Sequence, residues 1–381
     1  MARPANRGRR PGVRPAAGPS AGDAIAARKQ SHLDLCLRED VEAAVKTNLF
    51  EEVELVHDAL PDLAYEDLDL RSRWLGKELR LPFVITSMTG GTSEAFAINR
   101  DLAIVAEEAG IAFGVGSQRA MQRRPDSEWT FRVREFAPTT VLLGNIGLAQ
   151  ARIMSPAEFA PLRDALGADG LCVHLNVAQE LIQPEGDRDF RGGAALFRRL
   201  VRELDIPVIA KETGCGISRG VALRLADAGV RNVDVSGAGG TSWVRIEALR
   251  EGSSAALGEV YRDWGIPTAA SLLQLRGLGL TTVASGGIRS GLDAAKAIAL
   301  GAALAGVALP VYQAYRRGGL DGAREFIDFL AAGLRAAMLL TGSRRLADLK
   351  RAEMVVGPSL ERWRPSGGRR RAGKKGRKGS R

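Results

Sequence analysis

The sequence predicts an α/β fold, a (β/α)8 TIM barrel with an N-terminal cap segment and disordered basic tails. Three observations point there. Eight short, nearly continuous apolar runs recur along the chain, and each ends in a polar or glycine-rich corner. Strands buried on both faces read this way. Helical stretches lie between most of the runs, and that alternation is the signature of a parallel sheet wrapped by helices. The length, 381 residues, suits one barrel with additions. A doubly wound open sheet is the alternative architecture. It is disfavoured by eight repeats and by the lack of an opening G-x-G-x-x-G.

Taken in order, residues 1–27 are Arg, Pro, Ala and Gly without helical or strand period, and read as a disordered extension of charge +4. Residues 28–80 contain RKQSHL and an apolar–acidic stretch, FEEVELVHDALPDL, and read as a cap over or beside the barrel. The eight runs follow: LPFVITSMTGG (81–91), IAFGVGSQR (111–119), TVLLGNIG (140–147), GLCVHLN (170–176), IPVIAKETG (206–214), RNVDVSGAGG (231–240), TTVASGG (281–287) and LAGVALP (304–310). Helices are expected at 94–110, 193–205, 220–229 and 291–301, several stopped by Gly. The long gap at 241–280 reads as a substrate loop or lid. The barrel domain spans 28–364. Residues 365–381 form a like-charge tail of +8, also expected to be disordered.

Charge and cysteine usage narrow the function classes. The net charge is +10, so the tails leave −2 for the body. A nucleic-acid-binding fold carries its positive charge on a structured face, so nucleic acid is not expected beyond weak tail contacts. Three cysteines without metal-ligand spacing fit a reducing, cytoplasmic setting. There is no apolar run long enough to span a membrane and no apolar signal segment.

In barrels of this type, chemistry sits at the C-terminal ends of the strands. Here those ends read Ser87-Met88-Thr89, Ser117-Gln118-Arg119, Asn145, His174-Leu175-Asn176, Lys211-Glu212, Ser236, Ser285-Gly286-Gly287 and Gly306. SGGIRSG at the seventh run, followed by Val307 at the eighth, suits a phosphate-bearing cofactor such as FMN, because glycines let backbone N–H groups approach an anion. Lys211 ends an apolar strand, where it can offset negative charge on a reduced flavin ring. Glu180, in the dense stretch HLNVAQELIQPEGDRDF, is a candidate ligand for a hard cation such as Mg2+. Arg28, Lys29 and His32 form a basic cluster suited to clamping a diphosphate over the barrel mouth.

The ordered set RKQSHL, SMTGG, GSQR, HLNVAQELIQPEGDR, KETGCGIS, DVSGAGGTSW and ASGGIRSG resembles the type 2 isopentenyl-diphosphate delta-isomerase family over about residues 28–345. Leu33 stands where the family often has Ile. The resemblance implies interconversion of isopentenyl and dimethylallyl diphosphate by a 1,3-proton shift, with reduced FMN, Mg2+ and NADPH as reductant. It implies FMN contacts at Ser87, Met88, Thr89, Ser117, Asn145, Lys211, Ser236 and Thr241, with the cofactor phosphate at Gly286, Gly287, Ile288, Val307 and Ala308. It places the diphosphate against Arg28, Lys29, Ser117, Gln118, Arg119, His174, Asn176 and Gln179, and Mg2+ on Glu180. Gln179, His174 and Lys211 are the catalytic candidates, and a homotetramer or homo-octamer is implied. The competing reading is an FMN-dependent 2-hydroxy-acid oxidoreductase. Members of that class resemble one another in carrying a catalytic His after the sixth strand, and VSGAGGTSW has none.

Overall fold

The computed structural model describes residues 21–365. Eight parallel strands close on themselves in sequence order. They are β1 (Phe83–Ile85), β2 (Ala112–Gly114), β3 (Leu142–Gly147), β4 (Gly170–Leu175), β5 (Val208–Glu212), β6 (Asn232–Asp234), β7 (Thr281–Ala284) and β8 (Leu304–Val307). Closure runs through β8 and β1, where Ala305 pairs with Phe83 and Val307 with Ile85. Each of the eight apolar runs contributes one strand. The expected helices form at Ser93–Ala109, Gly193–Glu203, Arg219–Asp227 and Gly291–Ala299.

Successive residues of a strand point to opposite faces, which sorts the barrel into two cores. On β4, Leu171 and Val173 pack outward against the helices, and Cys172 points inward. On β5, Val208 and Ala210 face out and Ile209 faces in. The inward residues Val84, Ala112, Leu143, Cys172, Ile209, Val283 and Leu304 form one apolar plug. Trp74, in the hairpin Ser72–Trp74/Lys77–Leu79, packs into this plug and donates from Nε1 to Asn232 at 3.0 Å. The hairpin therefore seals the N-terminal end of the barrel. One rung further along the same inward columns stand Asn145, His174 and Lys211, so the polar site lies on an apolar floor.

The segment before β1 does more than cap. A helix covers Ala21–Arg38, so residues 21–27 are helical where coil was expected. The physical reason is its buried edge: Lys29, Leu33 and Cys36 recur at helical spacing and are buried. Packing against the helices Arg119–Arg123, Trp243–Ala248 and Leu309–Leu340 overrides the glycine- and arginine-rich composition around it. The expectations for residues 1–20 and 366–381 lie outside the described residues. After this helix, residues 40–48 strap down the side of the barrel. Asp263 accepts from the N–H groups of Ala44, Val45 and Lys46 at 2.6–3.2 Å. Asn48 Nδ2 donates to Gly287 O at 2.7 Å. The stretch 241–280 also differs from expectation. It is not a lid loop but three helices, Trp243–Ala248, Ala255–Tyr261 and Thr268–Leu275. Ser242 caps the first, accepting from Arg245 N at 3.2 Å. Among the described residues, no helix is long and apolar enough to cross a membrane.

The helices Gly291–Ala299 and Leu309–Leu340 meet through Gly291 and Gly333, and a Cβ at Gly291 would strike the backbone of Leu330 and Leu334. Backbone cannot move aside as a side chain can. Gly291→Ala is therefore expected to destabilise the fold by about 1–3 kcal/mol, read as a lower midpoint in urea denaturation.

Candidate active site

The C-terminal mouth of the barrel opens into a cavity of about 1480 Å3, solvent mouth included. It is lined by Arg28, Lys29, Ser87, Met88, Thr89, Ser117, Arg119, Asn145, His174, Asn176, Gln179, Glu180, Lys211, Ser236, Thr241, Gly286, Gly287, Val307 and Ala308. The structure thus brings together every sequence-predicted site residue except two. Gln118 is completely buried behind the wall. Its Nε2 donates to Leu162 O at 2.8 Å, and its Oε1 accepts from Asn145 N at 3.0 Å. Both ends of the amide are spent joining β3 to its neighbours, so the side chain of Gln118 does not reach the cavity. Ile288 does not line the cavity either, because its side chain packs into the hydrophobic core.

The floor is organised by one acidic side chain. Asp234 Oδ2 accepts from Lys211 Nζ at 2.7 Å, and Oδ1 accepts from Ser285 Oγ at 2.5 Å. Both members of the ion pair are buried. Lys211 is therefore held upright at the end of β5. Beside it, His174 Nδ1 lies 2.7 Å from Asn145 Oδ1. Burial, then the charges of Lys211, Arg28 and Arg119, push His174 down to about 3. The ring is neutral at working pH. With Nδ1–H donated to the Asn145 carbonyl oxygen, Nε2 is left as an acceptor.

The glycine-rich wall is built by close backbone approach. Gly286 and Gly287 have φ of +100° and +82°. A Cβ on Gly286 would run into the backbone of Gly237, and one on Gly240 into Gly287 N. Only glycine fits where these two turns touch.

The opposite wall is cationic and incompletely paired. Lys29 Nζ donates to Ser117 O at 2.9 Å and to Gly90 O. Burial, then repulsion from Arg28 and Arg124, lowers Lys29 to about 7. Arg28 is likewise lowered, first by burial and then by Arg119. Arg28 Nε, Arg119 Nε and Thr89 Oγ1 are buried without a hydrogen-bond partner among the described residues. Unsatisfied buried donors beside one another are costly unless a ligand answers them.

Between these walls, the helix Val177–Ile182 presents Gln179 and Glu180. Glu180 Oε1 accepts from Asn176 Nδ2 at 2.9 Å, and Oε2 accepts from Asp187 N at 2.8 Å. Among the described residues, no group of three or more His, Cys, Asp or Glu is placed to hold a metal. Gln179 Nε2 donates to Glu247 at 2.9 Å. Glu247 is fully buried and was missed by the sequence reading. It also accepts from Arg250 at 2.6 Å and lies 3.0 Å from His32 Nε2. Gln183, with its amide oriented to satisfy both neighbours, donates to Glu247 and accepts from Arg28. Trp243, four residues before Glu247, lines the cavity and meets His32 edge-on at 5.2 Å. The available signal was this i, i+4 pair at the start of a helix following GAGGTS.

This geometry can be set beside known proteins. An isopentenyl-diphosphate delta-isomerase of Methanothermobacter thermautotrophicus is 44% identical over 341 residues, covering 89% of this chain and 95% of the relative. One from a Synechococcus strain is 47% identical over 341 residues, covering 87% and 97%. The chain belongs to the type 2 isopentenyl-diphosphate delta-isomerase family. Residues 194–356 also match the family described as FMN-dependent dehydrogenase. A solved structure of mandelate oxidase with benzoyl-formic acid superimposes with a TM-score of 0.59 at 19% identity, covering 87% of this chain and 98% of that one. At that identity the likeness concerns the fold alone.

Burial pushes the Glu247 carboxyl up, but close contact with His32 and hydrogen bonds from Gln179 and Arg250 outweigh it and hold it at about 2, below its ordinary 4.5. A depressed acid stabilises the fold fully above its unfolded value and loses that contribution as pH falls through the folded one. Between pH 4.5 and 2, wild-type stability should therefore fall more steeply than that of Glu247→Gln. Urea denaturation across that range measures the difference, and parallel curves would contradict the assigned network.

Proposed function

We propose that the protein interconverts isopentenyl and dimethylallyl diphosphate by a 1,3-proton shift, using reduced FMN and Mg2+, with NADPH as reductant. The observation that carries the reading is a cavity with two anion-ready walls. One is the glycine turn at Gly286 and Gly287. The other is the set Arg28, Lys29 and Arg119, with guanidinium N–H groups unanswered. A cofactor phosphate suits the first and a substrate diphosphate the second.

The residues present fit FMN. The turns at 286–287 leave backbone exposed where a Cβ would fill the space, and Thr89 Oγ1 is a buried polar atom awaiting a partner. Gly286, Gly287, Val307 and Ala308 would hold the phosphate. Ser87, Met88, Thr89, Asn145, Lys211, Ser236 and Thr241 would hold the ring system and its linker. Bound and reduced, FMN supplies a proton donor and acceptor next to the alkene.

The protein's own groups bind and orient. Arg28, Lys29 and Arg119 neutralise the diphosphate, and remote binding energy fixes the alkene carbons. Neutral His174 and Asn176 offer polar contacts to it without adding charge. Among the described residues, Glu180 is the one carboxylate that lines the cavity. A single carboxylate plus diphosphate oxygens and water suits Mg2+, which seldom takes an all-protein cage. Gln179, with its amide nitrogen tied to Glu247, keeps a fixed orientation toward the substrate side. Helix Ala21–Arg38 supplies two of the three cations and covers the mouth, which excludes water from the reacting carbons.

The deciding experiment is anaerobic reduction of the purified flavoprotein, addition of Mg2+ and isopentenyl diphosphate, and NMR of the product. Many turnovers to dimethylallyl diphosphate with no further reductant consumed are expected. Bound, reduced flavin with no product would sink the isomerase reading and favour a screen of 2-hydroxy acids. Lys29 gives a second test. Because its free-protein value is about 7, kcat/KM for the diphosphate should fall above pH 7. Lys29→Arg, which stays charged, should flatten that limb, and a limb unchanged in the variant would assign it to another group.

A further inference from the structure

On β5, Lys211 points into the barrel, so its neighbour Glu212 points out of it, away from the reacting groups. Glu212 is nevertheless buried, at 9% exposure. Its Oε2 accepts from four consecutive backbone N–H groups: Thr213 and Gly214 at 2.7 Å each, Gly216 at 3.1 Å, and Cys215. Successive N–H groups turned toward one point make a concave anion site. Here the chain fills that site with its own carboxylate. Two glycines make the turn possible, Gly214 with φ +141° and Gly216 with φ +72°.

The turn so gathered is part of the cavity wall. Thr213 and Gly214 line it, as do Lys211 and Ser236. Gly216 N also donates to Ser236 O at 3.1 Å, and Ser236 is a cavity residue with φ of +34°, a conformation a serine adopts only when its surroundings impose it. Cys215 O accepts from Ile266 N at 2.9 Å, which ties the other side of the turn to the segment beyond. Among the described residues, no side chain other than Glu212 answers this group of N–H donors.

We propose that Glu212 is a positioning residue: its carboxylate fixes the 213–216 turn and, through it, Ser236, so that this wall is preformed for the flavin. The inference rests on the FMN reading above and names a residue outside the cavity as a determinant of that site. It acts through the turn and touches neither substrate nor cofactor.

The test uses full-length protein at pH 8, stripped of flavin and titrated with FMN. Glu212→Gln keeps the shape and an acceptor oxygen but removes the charge, so all four N–H bonds weaken together. Asp169→Asn is the control. That carboxylate also accepts from a backbone N–H, of Leu142, and from Lys77 and Arg134, but it sits at the N-terminal end of the barrel. Glu212→Gln should weaken FMN binding on the order of tenfold. It should also alter the visible circular dichroism of the bound flavin. With FMN saturating, kcat should fall while KM for isopentenyl diphosphate stays within about twofold, since the cationic wall is untouched. Glu212→Asp, which keeps the charge, should recover part of the FMN affinity. It serves as the reporting variant if the glutamine form does not fold. FMN affinity and flavin dichroism equal to wild type, or shifted no more than in Asp169→Asn, would overturn the proposal. Wild-type protein that takes up no FMN would instead defeat the cofactor reading on which it stands.

Discussion

Closure of β8 onto β1 is the constraint on which the rest depends. Once eight parallel strands form a ring, each inward column has fixed positions, and a residue two places along must rise one rung. The apolar plug under Trp74 consumes the lower rungs, through Leu143, Cys172 and Ile209. The next inward residues, Asn145, His174 and Lys211, then have no choice but to form the floor of the mouth. Polar groups on that floor are tolerated because each is answered: Lys211 by Asp234, and His174 by Asn145. The site is thus a by-product of strand register, refined by a few buried hydrogen bonds.

Electrostatics divides the mouth. The floor is neutralised internally, whereas on the wall carrying Arg28, Lys29 and Arg119 only Arg28 meets a carboxylate among the described residues, Glu185 at 3.6 Å. Burial, then the charge of Arg119, lowers the proton affinity of Arg28, and burial, then Arg28 and Arg124, lowers that of Lys29. The fold holds positive charge in poor surroundings, and an anion is the natural remedy. Glu247 deals with the same problem on the far side. It draws His32, Gln179 and Arg250 to one carboxylate, so that the helices on either side of the mouth share a single buried acid.

The barrel was legible because each strand has a local signature. A short apolar run ending in a polar corner needs no knowledge of distant residues. The residues at those corners were legible for the same reason, which is why Asn145, His174, Lys211 and the turn at Gly286 fall in the cavity as read. What could not be read depends on long-range packing. Helix Ala21–Arg38 is unremarkable in composition and becomes a helix because of what it lies on. Gln118 carries the right chemistry at the right corner, yet it rotates inward to join β2 and β3, a choice decided by neighbours. Glu247 sits in a stretch taken for a loop, and only the packing of Trp243–Ala248 against the mouth shows that it faces His32 and Gln179.

The cap helix has a consequence for how the protein is made. Its last turn is tied to the final long helix, with Gln313 Nε2 donating to Cys36 O across 277 residues of chain. The segment just beyond the strap waits similarly, since Lys296 donates to Phe50 O across 246. The segment bearing Arg28 and Lys29 finds its first partners at Gly90 and Ser117, but its seat is complete only when Trp243–Ala248 and the final long helix have followed. Contacts this remote in sequence form late. The far end of the cap helix is therefore secured late, and a nascent or truncated chain that stops short of Gln313 lacks the contact that ties it to the final long helix.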